Sequence, residues 1–480
     1  MAYDAVQDKK KRTPPRSIIY SEDGHLTPSE RRKLLATSHD QLRNFALAGW
    51  MVRKHTSYVS RFRFQAEADE RRFASREEAL GWKTRVEAFI ERRSHRSRFD
   101  VAGRYSRQAA LTLTERMAVL DGDHFWLKLK AGVVQLIESD LVYDPENHSA
   151  RQDAPGWVHG VQVDATGRPL RYSICHRDGS RRVPGIRPRA ANVLERAYRN
   201  RADQVRGVSP LSAALNTNQD LYEAFDLNLV KAKMHALFGL AIMKKSPQST
   251  NLIGGLPISS TVETEGSAEA EDDDETTTVN DIKDNFVRPG AASIIELATD
   301  EDIKTIESST PPQQFRDYSE LMIHLALCAL DLPYIFFDEK SGSFSIHRTA
   351  RIEYDKSCAE KREANEELLD EWTLWQITLA VISGELDLPT GWTLEDVAWD
   401  WVPEATPWFN EKDEVEAAVT GIRAGIISPV RHCKEHGGDV FQNIDDRAKV
   451  EQYARERGVA LDWSAAPVTL QQVPIRRDDE

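Results

Sequence analysis

The segment His432–His436 is where residue types and spacing come nearest to a catalytic metal site. It reads His-Cys-Lys-Glu-His and matches the H-x-x-E-H pattern of one class of zinc peptidases. Two histidines four residues apart lie on the same side of a helix, where both can bind one zinc ion. Five residues also match by chance, and Gly437 and Gly438 follow at once, which is typical of a helix end. A zinc hydrolase therefore stays an alternative, and it predicts bound zinc and a peptidase activity that His432→Ala abolishes.

Other catalytic patterns are missing from the sequence. Residues 254–261 read Gly-Gly-Leu-Pro-Ile-Ser-Ser-Thr and lack the lysine with which a Walker A loop holds phosphates, which disfavours a packaging ATPase. Neither GxGxxG nor GxSxG occurs. Carboxylate pairs are too frequent among 77 Asp and Glu residues to indicate a glycosidase. The sequence thus predicts a protein without a catalytic centre, a cofactor or a metal ion.

The composition is that of a protein with a hydrophobic core and a polar surface. Hydrophobic residues make up 40% of the chain and charged residues 29%, and the mean hydropathy is -0.53. Residues 1–16 contain no apolar segment after their charges, so no secretory signal is expected. The longest apolar stretch, residues 321–337, is interrupted by His324, Asp331 and Pro333 and falls short of the roughly 20 residues of a membrane span. We expect a soluble protein that is made in the cytoplasm and has no membrane partner.

The cysteines and the net charge restrict the function further. The four cysteines show no CxxC spacing, which favours reduced core thiols over disulfides or a zinc site; they are Cys175, Cys328, Cys358 and Cys433. The net charge is -14, whereas a protein that grips nucleic acid tightly usually carries a basic domain. The acidic charge fits either simple solubility or a surface past which DNA slides without sticking. Net charge does not separate these two interpretations, because only its distribution in space matters.

The first hundred residues divide into a polar arm and a helical region. Residues 1–35 carry a basic cluster at Lys9–Arg12 and predict a mobile arm, either solvated or used for docking. Residues 36–100 show helical patterns in which arginines alternate with acidic residues. This mixture favours ion-paired helix surfaces over a continuous basic face. The arginines concerned are Arg61, Arg63, Arg71, Arg72, Arg92, Arg93, Arg96 and Arg98.

Strand patterns follow and then give way to a long helix. Residues 124–130 alternate apolar and polar side chains, and residues 158–174 contain a turn signal at Asp164–Gly167, which predicts a β-hairpin. The long helix is predicted to be capped by Asn218 or Asp220. Its apolar positions recur at spacings of three and four, and they are Leu221, Phe225, Leu229, Ala232, Ala236 and Leu240.

The middle of the chain changes character after residue 245. The Ser/Thr-rich residues and the acidic run Glu269–Glu275 predict a disordered or solvated loop, followed by a strand near residues 292–297. A second helix is predicted from about Pro312 to Leu330, because Pro333 stops it. A loop with three phenylalanines then precedes a very long helix over about 347–383. The apolar stripe of this helix comprises Leu368, Trp372, Trp375, Leu379 and Ile382.

A series of short segments in one order carries a family resemblance. The segments are Phe99–Arg104, Asp121–Phe125, Gly160–Tyr172, Asp203–Leu211, Leu330–Tyr334, Trp408–Glu414, Gly425–Ser428 and Gly438–Asp439. Each is weak alone, but over about residues 36–460 the collinear series resembles the portal proteins of lambda-like phages. Phe344–Ile346 departs from the family's Asn-Tyr-Ser-Ser pattern, which puts polar contacts there in doubt. The acidic insert 263–275 has no counterpart motif. The motif residues expected to be structural are Gly160, Gly167, Asp203, Arg206, Gly207 and Ser209.

The resemblance implies a helix-rich α+β portal fold with an α/β wing, a helical stem, a small α/β clip, a tunnel loop with a long helix, and a helical crown. The expected parts follow the chain in order: mobile arm 1–35, wing 36–205, stem helix 206–245, clip 246–311, second stem helix 312–332, tunnel loop 333–346, channel-backing helix 347–385, wing and crown helices 386–463, and polar tail 464–480.

The function that the resemblance implies is a ring of about twelve subunits, closed by head-to-tail contacts, at the packaging vertex of a capsid. Double-stranded DNA would pass through its channel during packaging and ejection. The implied protein partners are the terminase large subunit at the clip, the major capsid protein and scaffold at the wing, and a head–tail adaptor. The protein would reside in the virion and in the host cytoplasm during assembly. Two competing functions are a different connector or adaptor ring and a cytoplasmic scaffold without a DNA role.

The residues expected to face the channel lie in and just after the loop. Lys340 is expected to touch phosphates, while the three phenylalanines either narrow the channel or pack beneath the loop. The full candidate set is Phe336, Phe337, Lys340, Ser341, Ser343, Phe344, His347 and Arg348.

Overall fold

The computed structural model describes residues 21–68, 72–145, 156–179, 181–237, 240–244, 301–305, 313–340, 342–404, 410–436, 438–459 and 461. The predicted basic cluster at residues 9–12, the acidic insert 263–275, the strand near 292–297 and the tail 464–480 lie outside these residues. The chain divides into two compact units, residues 1–219 with 322–480, and residues 220–321. The helix-rich α+β class expected from the sequence is confirmed.

The N-terminal part of the first unit is mainly helical. Its helices are α1 Glu22–His25, α2 Pro28–Asn44, α3 Ala46–Val59, α4 Arg76–Ser94, α5 Arg96–Phe99 and α6 Arg107–Asp121. Local chemistry sets their starts. Thr27 and Glu30 form a reciprocal capping box at α2, and the hydroxyls of Ser75 and Ser106 cap α4 and α6. Gly122 ends α6 with a φ of 94°, in the left-handed region that favours glycine.

The strands of the first unit form small antiparallel sheets. They are β1 Phe62–Glu67, β2 Asp123–Lys128, β3 Val134–Ile137, β4 Gly156–Val158, β5 Val161–Val163, β6 Pro169–Tyr172, β7 Ile174–Asp178, β8 Arg181–Ile186 and β9 Val193–Ala197. Strand β2 is the centre of the sheet β3-β2-β9, and β4-β5-β6 forms a second sheet. The β5–β6 pairing confirms the predicted hairpin, with a register shift at Gln162 and Val163.

Strand β2 separates two hydrophobic cores. Phe125 and Leu127 join one cluster with the hairpin strands, while Trp126 points to the other side and joins the larger cluster around Trp372. The strand predicted in residues 124–130 is present as β2. Five of its six residues are buried, so both faces of the strand pack against hydrophobic clusters.

The C-terminal part of the first unit contains the long helix and three shorter ones. These elements are α9 Phe344–Ser383, strand β12 Ala398–Pro403, α10 Glu411–Arg423, α11 Pro429–Glu435 and α12 Val440–Glu456. Helix α9 starts three residues earlier than predicted and ends at Gly384 in the left-handed conformation. Strand β12 pairs antiparallel with β1.

The rear half of α9 enters the larger core. Leu368, Leu369, Trp372, Ile377 and Ala380 are buried there, and full burial of one such aliphatic side chain contributes about 1.5–3 kcal/mol. The predicted stripe is confirmed at Leu368 and Trp372. It is wrong at its end, because Ile382 is 78% exposed. The buried side follows the 3.6-residue period, and Ile382 falls outside it.

Three of the arginines predicted to form ion-paired helix surfaces have acidic partners, but these partners are distant in the sequence, and of the three only Arg93 lies on an α-helix. Arg61 pairs with Glu404 at 2.9 Å and Arg72 with Asp396 at 2.6 Å. Arg93 approaches Glu385 at 3.5 Å. These ion pairs connect the N-terminal helical region with the segment that follows α9.

The helix α7 Leu215–Leu237 corrects the predicted cap. It starts before Asn218, so this side chain lies in the first turn, is buried, and donates from Nδ2 to Oε1 of Gln41 at 3.2 Å. A buried amide already bonded to another helix is not a cap. The predicted apolar face is buried at Leu221, but Phe225 and Leu229 are 45% and 51% exposed. Leu240, predicted on the same helix, lies in a strand beyond the helix end at Leu237.

The second unit contains the greater part of α7, the strands β10 Leu240–Lys244 and β11 Glu301–Thr305, and the start of α8 Gln313–Leu327. The two strands pair antiparallel. Phe225 and Phe315 meet edge to face with ring centroids 5.5 Å apart. This contact joins the two helices within the unit.

All four cysteines are free, which agrees with the expected thiols. Only Cys175 and Cys358 are buried; Cys328 is exposed and Cys433 is half-buried, so the expectation of core thiols is wrong for these two. None of the described helices combines the length and the apolar character needed to cross a membrane.

Candidate functional site

Arg206, singled out by the family motif, is a fully buried guanidinium. It binds the equally buried Asp123 through Nε at 2.7 Å and Nη2 at 2.9 Å. Its remaining N–H groups donate to the carbonyl oxygens of Val142 at 3.0 Å, Ser139 at 3.0 Å and His159. A buried charge is tolerated only when it is paired and hydrogen-bonded in this way.

Asp123 holds a second arginine, Arg31 of α2, whose Nη2 lies 3.1 Å from its Oδ2. Burial by itself would raise the pKa of Asp123, but the charges of Arg206 and Arg31 outweigh burial and hold this pKa well below its ordinary value. Burial and the charge of Arg206 lower the pKa of Arg31 to about 10. The Gly207 amide also donates to Asp123, at 2.9 Å. One carboxylate thus fastens α2, β2 and the 204–209 segment together.

The motif glycines permit close backbone approach. A Cβ at Gly207 would lie 2.0 Å from the carbonyl oxygen of Gly122, and a Cβ at Gly160 would lie 2.4 Å from the amide nitrogen of Tyr143. Gly167 has a φ of 89° and closes the hairpin turn, where Oδ1 of Asp164 accepts from two backbone amides.

The two polar motif residues differ in exposure. The Ser209 hydroxyl is buried and donates to the Val119 carbonyl at 2.7 Å. Asp203 is half-exposed and approaches Arg201 at 3.5 Å. Gly160, Arg206, Gly207 and Ser209 are thus buried, whereas Gly167 and Asp203 are exposed.

Asp331 lies two residues before the candidate channel loop 333–346 and adopts a left-handed φ of 57°. Its Oδ2 accepts from Ser357 Oγ and from Lys361 Nζ, each at 2.8 Å. Burial would raise the pKa of Asp331, but these hydrogen bonds and the charge of Lys361 lower it. Leu332 and Ile335 are buried. The loop is therefore fastened to α9 at its start and packed from beneath.

The phenylalanines of the loop lie in three different environments. Phe336 packs beneath the loop, stacked on Tyr58 at 6.0 Å and edge-on to Tyr354 at 5.4 Å. Phe337 is 42% exposed and meets Trp50 edge-on at 5.6 Å. Phe344 is 55% exposed and is the first residue of α9. Packing beneath the loop describes Phe336, whereas Phe344 lies at the surface.

The polar candidates occupy the outer part of the loop and the start of α9. Lys340 and Ser343 are exposed, and Ser343 precedes α9 without a side-chain cap bond. His347 is half-buried, and Arg348 approaches Glu414 at 3.7 Å. Ser341 lies outside the described residues. The structure brings Ser343, Phe344, His347 and Arg348 together at the first turn of the helix.

A buried hydrogen-bond network that was not identified from the sequence attaches α9 to the neighbouring helices. Burial lowers the pKa of His55 to about 3, so its ring is neutral. Tyr198 donates its hydroxyl proton to Glu115 and accepts from His55 Nε2 at 3.2 Å. His55 Nδ1 then accepts from the Tyr354 hydroxyl at 3.0 Å, an assignment of protons that follows from the network itself.

Asn365 completes this network from the same helix. Its Nδ2 donates to Glu115 Oε2 at 3.0 Å and to the Val59 carbonyl at 3.1 Å. Helix α9 is therefore bonded to α3 and α6 through His55, Glu115, Tyr354 and Asn365, whose side chains are almost fully buried. Isolated polar residues on otherwise apolar helices are the only sequence signal for such a network, and they do not identify its partners.

The His432–His436 segment does not form a metal site in the structure. The two histidine rings are 4.3 Å apart, but His436 Nδ1 bonds the backbone carbonyl of His432 at 2.9 Å. Among the described residues, no group of three or more His, Cys, Asp or Glu side chains is arranged to hold a metal ion.

Several solved structures are similar to this chain at low sequence identity, whereas no curated protein matches it. They include the virion of a native gene transfer agent particle, with a TM-score of 0.47, 12% identity, and coverage of 86% of this chain and 99% of that chain. The neck of an empty gene transfer agent particle has a TM-score of 0.46 and 13% identity, with coverage of 85% of this chain and 93% of that chain. The neck of a native particle has a TM-score of 0.46 and 12% identity, with coverage of 85% of this chain and 92% of that chain.

The family comparison covers most of the chain. The family model described as phage portal protein, lambda family, matches residues 19–376. The match includes the Arg206 motif, the candidate loop and the front half of α9. The family consists of structural virion proteins and not of enzymes. The chain therefore belongs to the lambda family of phage portal proteins.

Proposed function

We propose that this chain forms a closed ring of about twelve copies at one capsid vertex, through which double-stranded DNA enters and leaves. Family membership supports this function. The observation that best supports ring formation concerns the second unit. Seven large apolar side chains there are 45–69% exposed. They are Tyr222, Phe225, Leu227, Leu229, Val230, Tyr318 and Leu321. Exposed apolar surface of this density is characteristic of protein interfaces.

The arrangement on α7 supports a ring in preference to a two-fold dimer. Tyr222, Phe225 and Leu229 recur at spacings of three and four and share one side of the helix. Leu227 and Val230 lie on another side. A head-to-tail interface uses two different surfaces of each copy, whereas a two-fold interface uses one surface twice.

The parts of the chain are assigned from their order. Helices α7 and α8 form the stem, and residues 246–311, which include β11, form the clip that meets the terminase large subunit. The domain up to residue 205 forms the wing, which meets the capsid protein and scaffold. Helices α10–α12 contribute to the wing and crown, and a head–tail adaptor attaches to the assembled ring. The protein is assembled in the host cytoplasm and resides in the virion.

The residues proposed to face DNA are those that the loop leaves exposed. Lys340 supplies a cation for phosphates, and Phe344 supplies an apolar tip at the start of α9. Phe336 supports them from beneath. Particles that carry Phe344→Ala with Lys340→Ala should contain less packaged DNA while their rings assemble. A normal genome content in such particles would contradict the assignment of this loop to the channel.

Electron microscopy of the purified full-length protein tests the ring. Rings with a central opening are expected, and a stable monomer at micromolar concentration contradicts the proposal. Leu227→Lys should shift the population from rings to smaller species, because it places a charge on the proposed interface. Ile186→Lys, at a side chain 54% exposed in the first unit, is the matched control and should leave the rings intact.

A further inference from the structure

A cleft of about 480 Å³ in the first unit has walls rich in arginine. It lies between α2, the turn at Ser139–Leu141 and the strands β7 and β8. Its volume falls within the range of about 300–1,000 Å³ that is typical of ligand clefts. The basic residues on its walls are Arg32, His39, Arg43, Arg177 and Arg182.

The local structure explains why these residues converge. Arg32, His39 and Arg43 lie seven and four residues apart on α2 and therefore share one side of the helix. Arg177 and Arg182 are directly paired across β7 and β8, which places their side chains on the same face of the hairpin. The helix and the hairpin thus form two basic walls.

The carboxylates of the cleft do not balance its arginines. Asp140 is shared by Arg177 at 2.8 Å and Arg182 at 3.5 Å, and Glu138 also contacts Arg177. Arg43 also lies 3.9 Å from Asp40, which is outside the lining. Four arginines against these three carboxylates leave an excess of positive charge in the cleft. The whole chain has a net charge of -14, so this excess is local.

Two of the four arginines are also positioned by an aromatic ring. Arg32 and Arg182 lie over the ring of Tyr143 at 5.6 and 5.2 Å. Cation–π contacts of this kind orient a guanidinium and leave its charge in place. His39 donates from Nε2 to Asp121 at 2.8 Å, and this hydrogen bond raises the pKa of His39.

We propose that this cleft binds a carboxylate-rich peptide segment of another protein. Guanidinium groups pair with carboxylates in a bidentate geometry. The Arg177 pairs are about half-exposed, so an incoming carboxylate can replace them at small cost. Leu35 and Ala36 give the lining an apolar strip for the stems of Glu side chains. A DNA duplex fits less well, because its convex backbone would meet Glu138 and Asp140. The proposal is independent of ring formation.

Fluorescence anisotropy with the full-length protein tests this site. The probe is a labelled ten-residue peptide of alternating Glu and Ser, and its Gln–Ser counterpart serves as the uncharged control. We expect the acidic peptide alone to bind, with an affinity that falls as salt is added. Arg32→Gln with Arg43→Gln should weaken binding about tenfold. The matched double variant Arg61→Gln with Arg92→Gln removes the same charge outside the cleft and should change binding less than twofold.

A second variant separates the cleft from general electrostatics. Ala36→Trp fills the cleft without changing the charge and should weaken binding at least fivefold. Unchanged binding by Ala36→Trp, or equal losses in the two double arginine variants, overturns the proposal, as does the absence of binding by the wild type. The thermal melting of every variant is compared with the wild type, so a folding defect is recognised.

A competitor and a deletion variant decide the identity of the occupant. A 20-base-pair duplex that displaces the acidic peptide more effectively than unlabelled peptide does would assign the cleft to nucleic acid and overturn the proposal. Deletion of residues 269–275, the acidic run of this chain, should leave peptide affinity unchanged. A gain in affinity after deletion would show that the chain's own run occupies the cleft and would overturn the assignment to another protein.

Discussion

The buried pair of Arg206 and Asp123 gives the sharpest prediction on stability. Asp123→Asn leaves the guanidinium groups of Arg206 and Arg31 in the interior without their shared carboxylate. Arg206→Met leaves the carbonyls of Val142 and Ser139 without their donor and the carboxylate with one arginine. Breaking one partner of a buried ion pair costs about 3–5 kcal/mol. We expect a loss of this size in the free energy of unfolding for each single variant.

The double variant gives the coupling between the two side chains. Because each single variant already removes the shared contact, the double variant should lose about 1–3 kcal/mol less than the sum of the singles. Urea unfolding, followed by the fluorescence of the buried Trp126 and Trp372, measures all three losses. The exposed pair of Arg61 and Glu404, with 2.9 Å between its charged atoms, is the control and should cost under about 1 kcal/mol.

The pH dependence of the wild type follows from the same pair. The pKa of Asp123 is depressed in the folded state, so its stabilisation is complete above the unfolded value of about 3.9 and is lost as the pH falls below it. Asp123→Asn should flatten this part of the stability profile. Single-variant losses below about 1 kcal/mol, strict additivity, or an unchanged acid profile would refute the reasoning.

Three further predictions concern packing. Gly207→Ala should destabilise the fold by about 1–3 kcal/mol or more in urea unfolding, because the new Cβ meets the Gly122 carbonyl at 2.0 Å; a neutral effect would contradict the close backbone approach. Tyr354→Phe removes the donor to His55 and should cost about 1–3 kcal/mol by the same assay, and a cost near zero would show that the network tolerates an unpaired ring nitrogen. Phe336→Ala should lower the melting temperature and reduce the free energy of unfolding by about 2–4 kcal/mol. Phe344→Ala, at an exposed side chain, should reduce it by under about 0.5 kcal/mol. Equal losses would contradict the different environments of these two side chains.

Local patterns in the sequence predicted much of the element order. Gly167 marks the hairpin turn, and Pro333 marks the end of the segment that follows α8. The length of α9 also follows from its periodicity. These signals are local because turn geometry and helix periodicity depend on neighbouring residues.

Contacts between distant segments could not be predicted in the same way. Strand β1 has alternating Phe62 and Phe64, but its partner β12 lies near the other end of the chain. The family motif marked Arg206 without showing that Asp123 neutralises it. His55 and Asn365 carry no pattern at all, since a hydrogen-bonded interior depends on how helices are brought together and not on residue spacing.

The attachment of α9 determines how far its leading end can move. The helix is fixed at Tyr354 and again at Asn365. The ten residues Phe344–Glu353, about 15 Å of helix, extend beyond Tyr354, with the ion pair of Arg348 and Glu414 along them. A tilt of about 5° at Tyr354 would displace Phe344 by only about 1.3 Å, given the 1.5 Å rise per residue. In the proposed ring, the Phe344 residues of all copies would therefore hold nearly fixed positions. The opening that they line would keep an almost constant diameter.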